Sequence, residues 1–235
     1  MPRLSDSDLV AREYSTIDRL AMRRLDRTGW LRGADEPWVV ALGAIAEQHP
    51  NRILEVGCGA GDFAALLTAP EVICVDISPA AVAAARSRGL VTHVADAQEL
   101  PFADASFDVV VANWMLYHVP DRGRAIAEMA RVLKPGGRFV GCYNAPDHLR
   151  ELWKSVGAPA DADAFDAVNG AAELGRAFAA VEARAAETEV LWESRARVQA
   201  YLDAYREMYG PLMAPTGPYP FRATRRNVVF VATKP

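Results

Sequence analysis

Three alternating glycines, Gly57, Gly59 and Gly61, follow a short apolar run in the stretch I-L-E-V-G-C-G-A-G-D. Glycine takes positive φ at no steric cost and lets a ligand approach the main chain. After the first strand of an α/β sheet, such a turn is where nucleotides bind. Asp76 closes the next apolar run, 19 residues beyond Gly57. A carboxylate there can accept hydrogen bonds from both hydroxyls of a ribose, as in dinucleotide sites. The alternative is an aspartate that only shapes the turn before a helix. The dinucleotide fingerprint is G-x-G-x-x-G. Here the third glycine comes one residue early and Glu55 precedes the first.

Two histidines are candidates for proton transfer, since imidazole titrates near neutrality. His118 lies in N-W-M-L-Y-H-V-P-D, residues 113–121, which leaves the carboxyl end of the fourth expected strand. Open sheets place their ligands at that end. Its alternative role is structural, capping or packing under the following helix. His148, in N-A-P-D-H-L just past the fifth strand, is the second candidate, or else a surface residue at a helix start. Trp114 and Tyr117 are placed to line an acceptor pocket, although aromatics beside a strand commonly serve the core. His49 and His93 flank strands away from that edge. The four histidines and three cysteines show no metal-ligand spacing, so no metal is expected.

The elements that must position these residues alternate from about 38 to 143. Helix 38–48 precedes strand 53–56, and a helix is expected to continue over 63–67. Strand 72–75 follows, then a helix to Arg88 with Ser78 as N-cap, Pro79 in the first turn and Gly89 after its end. Strands 91–94 and 108–112 come next. A helix capped by Asp121 runs to Leu133, Pro135-Gly136-Gly137 ends it, and strand 138–143 follows. Repeated strand-helix units imply a parallel, doubly wound α/β sheet with helices on both faces. Beyond it, helices at 147–156 and 171–178, a strand at 181–192 and one amphipathic helix at 194–209 are expected. That last helix carries Tyr201, Tyr205 and Tyr209, as lid or as packing on the sheet. A terminal strand at 227–232 closes the chain. Arg225 and Arg226 read as a solvated strand start or as contacts to an anionic substrate.

Three further segments complete an ordered set: A-D-A-Q-E-L-P-F at 95–102, S-F-D-V-V-V-A-N at 106–113 and L-K-P-G-G-R-F at 133–139. With the glycine turn and Asp76, the set resembles the class I methyltransferases that use S-adenosylmethionine (SAM), of the ubiquinone-biosynthesis-like small-molecule type. The resemblance covers about residues 53–142. It implies a seven-stranded, mainly parallel Rossmann-like sheet with helical lid additions, in one domain spanning 1–235. Within it, 1–36 would be an N-terminal arm, 37–145 the SAM-binding core, 146–222 lid elements and 223–235 the terminal strand. It assigns Glu55 and Gly57 to the methionine end, Gly59 and Gly61 to close backbone approach, and Asp76 to the ribose. Ile77 would form an apolar wall or ordinary core. Asp96 and Ala97 would meet the adenine, and Asn113 the methionine amino group or only a strand-end turn. Tyr14, in the arm segment Y-S-T, is a weak acceptor contact.

The implied reaction is methyl transfer to O, N or C of a small metabolite, in specialised biosynthesis. Two alternatives share the turn and Asp76: an NAD(P)-dependent oxidoreductase and a SAM-binding protein without catalysis. The strand-four end reads Asn113-Trp114-Met115-Leu116, not the D/N-P-P-Y/F/W of base-amine methylation. With a formal charge of -4 and no basic block, no nucleic-acid partner is expected. The longest apolar stretch is too short to span a bilayer, and the first residues lack the apolar region of a signal peptide. Cys58, Cys74 and Cys142 read as small buried residues of a cytoplasmic monomer or homodimer.

Overall fold

The computed structural model describes residues 36–158, 165 and 168–235. The N-terminal arm and Tyr14 lie outside that set. Helix α1 (Pro37–Ala46) starts where the Glu36 carboxylate accepts from the Trp38 amide at 2.8 Å. It leads into β1 (Arg52–Val56), β2 (Glu71–Asp76), α2 (Pro79–Ser87), β3 (Val91–Val94) and β4 (Phe107–Val111). Then come α3 (Arg122–Val132) and β5 (Leu133–Asn144). The later elements are α4 (Arg150–Ser155), α5 (Gly170–Leu174), β6 (Ala180–Trp192), α6 (Arg195–Asp203), α7 (Arg206–Tyr209) and β7 (Phe221–Thr233).

The sheet has seven strands in the order β3-β2-β1-β4-β5-β7-β6. Strands β1 to β5 pair in parallel, and β7 runs antiparallel to both β5 and β6. This is the doubly wound, mainly parallel sheet expected. Strand order reverses between β1 and β4, so a crevice opens beyond their carboxyl ends. On one face α3 and α5 bury Leu54, Val110, Phe139 and Phe230; on the other α1 buries Ile53, Val109, Val140 and Val229. The central strands alternate between these two cores, which fixes their register.

Local signals set the helix ends. The Ser78 hydroxyl accepts from the Ala81 amide at 3.3 Å, and Gly89 takes φ +85°. The Asp121 carboxylate accepts from the Arg124 amide at 2.9 Å. Several expectations need correction. The helix capped by Asp121 ends at Val132 and β5 already begins at Leu133, so Pro135-Gly136-Gly137 lies inside the strand and does not end the helix. The helix expected over 63–67 is one 3-10 turn, Ala64–Leu66, because the chain must turn extended at Leu67 and reach β2 just past Pro70. The helix expected over 194–209 breaks into α6 and α7 where Tyr205 leaves helical geometry at φ -108°, ψ 8°. The terminal strand begins at Phe221, before the expected 223 or 227, so Arg225 and Arg226 lie inside β7.

That early start extends β7 beyond β5. β7 pairs with β5 only from Asn227 onward, but with β6 along its whole length. Residues 187–192 and 221–226 therefore project past the carboxyl end of β5. On this projection sits a separate apolar cluster of Leu149, Leu152, Trp192, Tyr201, Leu202 and Ala223. Segment 146–222, expected as lid elements, thus also contributes a strand to the sheet, since β6 lies within it.

Candidate functional site

The glycine turn is held from two sides. The amides of Gly57 and Cys58 donate to the Val75 carbonyl at 2.8 and 3.1 Å, tying the turn to the end of β2. The Gly59 amide donates to Asp76 Oδ2 and the Ser78 amide to Asp76 Oδ1, each at 2.9 Å. Asp76 thus joins the turn to the start of α2. Burial raises its carboxyl above the usual range, against the pull of these amides. Beside it Ile77 is 60% exposed, so its side chain is not core. Glu55, by contrast, is buried at the base of the turn. From below, the Arg88 guanidinium meets the Ala60 carbonyl at 3.1 Å and the Asp62 carboxylate.

All three glycines take positive φ. Gly61 also has a packing role. A Cβ there would lie 2.3 Å from Leu90 Cδ1 and 3.2 Å from Ala85 Cβ, so Gly61 serves helix-to-strand packing on the inner side of the turn. At Gly57 a Cβ would lie 2.8 Å from Cβ of Met115, which places the loop after β4 directly on the turn. Cys58 and Cys74 are buried together beneath it as thiols. The hydrogen bond its thiol donates to Cys74, together with burial, holds Cys58 protonated.

Loop 95–102 closes the β2 side. Asp96 accepts from the Gln98 amide at 2.8 Å, and the Gln98 side-chain oxygen accepts from the Asp121 amide at 3.1 Å. Ala97 is buried. The Leu100 amide donates to Glu128 at 2.8 Å, and Arg131 grips Glu128 and the Leu100 and Phe102 carbonyls, so α3 carries the loop.

At the end of β4 the ladder is rewired. Asn113 Oδ1 accepts from the Cys142 amide at 2.9 Å, and the Ala112 carbonyl accepts from the Tyr143 hydroxyl at 2.6 Å. Asn113 is therefore a strand-end cap through its oxygen. Its Nδ2 is buried without a hydrogen-bond partner among the described residues. The loop then straddles the sheet edge, with Trp114 on the α1 face and Met115 and Tyr117 on the α3 face. His118 sits in the 3-10 turn Leu116–His118, its ring 4.3 Å from that of Tyr117. Asp121, not His118, caps α3.

His148 is half-buried instead of on the surface. Its Nδ1 lies 2.9 Å from the Arg226 carbonyl, so Nδ1 carries the proton and donates. Burial and the nearby Arg225 guanidinium pull its pKa down to about 3, far from the near-neutral value that suits a general base. The folded form thus resists protonation while an unfolded chain takes up a proton below pH 6.5. This histidine adds stability above pH 6.5 that is lost as pH falls towards 3. His148→Gln keeps a donor to Arg226 and should flatten the fall in thermal midpoint across that window. An unchanged slope would show that other groups, such as the Glu151 carboxylate beside Arg226, set the acid response. Arg225 is buried, 3.7 Å from Glu36 and 3.4 Å from the Thr188 hydroxyl, and is no solvated strand start. The ring of Trp153 packs 5.4–6.3 Å from those of Tyr201, Tyr205 and Tyr209.

A protein-family model described as a methyltransferase domain matches residues 54–141, the stretch that holds the glycine turn, Asp76, Asp96 and Asn113. The core is a class I, SAM-dependent methyltransferase domain. The chain is similar to 27-O-demethylrifamycin SV methyltransferase of Amycolatopsis mediterranei, 37% identical over 177 residues. That alignment covers 66% of this chain and 60% of the relative's length. Among solved structures, the N-methyltransferase NodS of Bradyrhizobium japonicum, in complex with S-adenosylhomocysteine (SAH), superposes over the whole of both chains. Its TM-score is 0.57 at 20% identity. The [4+2]-cyclase SpnF superposes at TM-score 0.62 and 20% identity over 100% of this chain and 97% of its own. At such identity these two likenesses speak for the fold of the methyltransferase domain alone. Among the described residues no helix is long and apolar enough to cross a membrane, and no cluster of His, Cys, Asp or Glu could hold a metal ion.

Proposed function

We propose that this chain transfers a methyl group from SAM to an O, N or C atom of a small metabolite in specialised biosynthesis. The Asp76-locked glycine turn with the exposed Ile77 beside it carries the reading. Asp76 would accept from the two ribose hydroxyls, and Ile77 offers an apolar wall to a flat base. Asp96 and Ala97 close the adenine side. The buried Nδ2 of Asn113 and the carboxylate of Glu55 stand at the opposite, methionine end with Gly57 and Gly59. These residues fit the group. When bound, SAM supplies an activated methyl, so the protein's task is to place the acceptor in line with it.

The acceptor would lie between loop 113–118 and the lid, with Trp114, Tyr117 and the lid aromatics as walls. A cytoplasmic monomer or homodimer acting on a small molecule, without nucleic acid, fits the acidic net charge. The test is calorimetry with SAH and with NADH. Binding of SAH alone supports the reading, and binding of NADH alone would establish the oxidoreductase alternative. If SAH binds but no acceptor from a broad panel is methylated, a SAM-binding role without methyl transfer gains. Once an acceptor is found, His118→Ala should cut turnover at least about 100-fold if its imidazole takes the acceptor proton. A loss of a few-fold would leave His118 as a ring packed on Tyr117.

A further inference from the structure

Trp114 stands at φ +48°, a left-handed conformation that a bulky residue rarely keeps unless its surroundings impose it. Two hydrogen bonds impose it here. Its amide donates to the Cys142 carbonyl at 2.9 Å, and its indole Nε1 donates to Asn144 Oδ1 at 3.0 Å. The same Asn144 oxygen accepts from Asn227 Nδ2 at 2.9 Å. Two donors on one oxygen fix the orientation of the Asn144 amide. The register Asn144↔Asn227 brings the last residue of β5 against the point where β7 leaves β5 for the lid.

An apolar junction could hold these strands as well, and at lower cost. Instead the site keeps a polar network that is only partly satisfied. Asn227 is 3% exposed, and its Oδ1 has no hydrogen-bond partner among the described residues. Unsatisfied buried groups of this kind call for a reason beyond stability. The neighbouring loop supplies one. Trp114 is followed by Met115, which rests on Gly57, and Asn113 precedes it with its own buried Nδ2.

We propose that Asn144, braced by Asn227, is a positioning residue. Through the indole of Trp114 it sets how loop 113–118 sits on the glycine turn, and so shapes the methionine end of the donor site. This rests on the donor site proposed above, and SAH binding by calorimetry tests it without any acceptor. Asn144→Leu should weaken SAH binding about 10-fold. Asn144→Asp keeps an oxygen for both donors and should stay within about three-fold of the native chain. Trp114→Phe keeps a ring but removes the indole donor, so it should reproduce the loss in Asn144→Leu. The double variant should lose no more than either alone, because both remove the same bond.

Native affinity in Asn144→Leu overturns the proposal, as does an equal loss in Asn144→Asp. Should Asn144→Leu fail to fold by circular dichroism, Trp114→Phe decides alone, and binding within two-fold of native overturns the proposal. Failure of the native chain to bind SAH would instead overturn the donor site itself.

Discussion

Asp76→Ala is expected to weaken SAH binding by about 100-fold or more. Hydrogen bonds to a charged group contribute about 1.5–3 kcal/mol each, and the proposed site gives Asp76 two ribose hydroxyls. Their loss amounts to about 3–6 kcal/mol, and every 1.4 kcal/mol is about ten-fold in affinity. A second effect adds to the first. The carboxylate also receives the Gly59 and Ser78 amides, so its removal loosens the turn that must meet the ligand. Asp76→Asn separates the two contributions. Its single oxygen can serve one of the two amides, and its NH2 group repels the other. An intermediate loss is therefore expected, with the fold retained by circular dichroism. Calorimetry with SAH on the three proteins is the measurement. Binding of Asp76→Ala within three-fold of the native chain would remove the ribose from Asp76 and leave it a turn-shaping residue.

How much of this was readable in advance follows the range of each interaction. The glycine turn, the Ser78-Pro79 start and the Asp121 cap are signals within a few residues, and the structure has all three. Asp76 and the parallel sheet were legible because strand-helix spacing repeats. The cap made by Asn113 on Cys142 spans 29 residues, and the bond from Asn227 to Asn144 spans 83. Neither leaves a local pattern. Arg225 and Arg226 misled for a physical reason. Two adjacent arginines break apolar alternation, yet one is buried against Glu36 while the other meets carboxylates on the opposite face. The role of Gly61 was hidden similarly, since its partner Leu90 arrives only after β2 and α2 have folded back. Met115 carried no signal beyond its place in an apolar run.

That role of Gly61 leads to the largest expected loss of stability. Gly61→Ala should destabilise the protein by about 2–5 kcal/mol, seen as a lower urea midpoint at unchanged slope. Left-handed backbone costs an L-residue about 1–2 kcal/mol, and Gly61 sits at φ +76°. Overpacking a core adds typically about 1–3 kcal/mol: Leu90 can swing its Cδ1 aside, but Ala85 on α2, 3.2 Å from the new methyl, gives only with its helix. Against a total stability of about 5–15 kcal/mol, such a loss threatens the fold. Gly89→Ala is the matched control. Gly89 has φ +85° with nothing within 4 Å of a Cβ, so only the backbone cost applies, about 1–2 kcal/mol. If the two substitutions cost the same, Gly61 would matter only for its backbone and the contact with Leu90 would carry no energy. If Gly61→Ala costs clearly more, the third glycine of the turn is there for the sheet and helix beneath it.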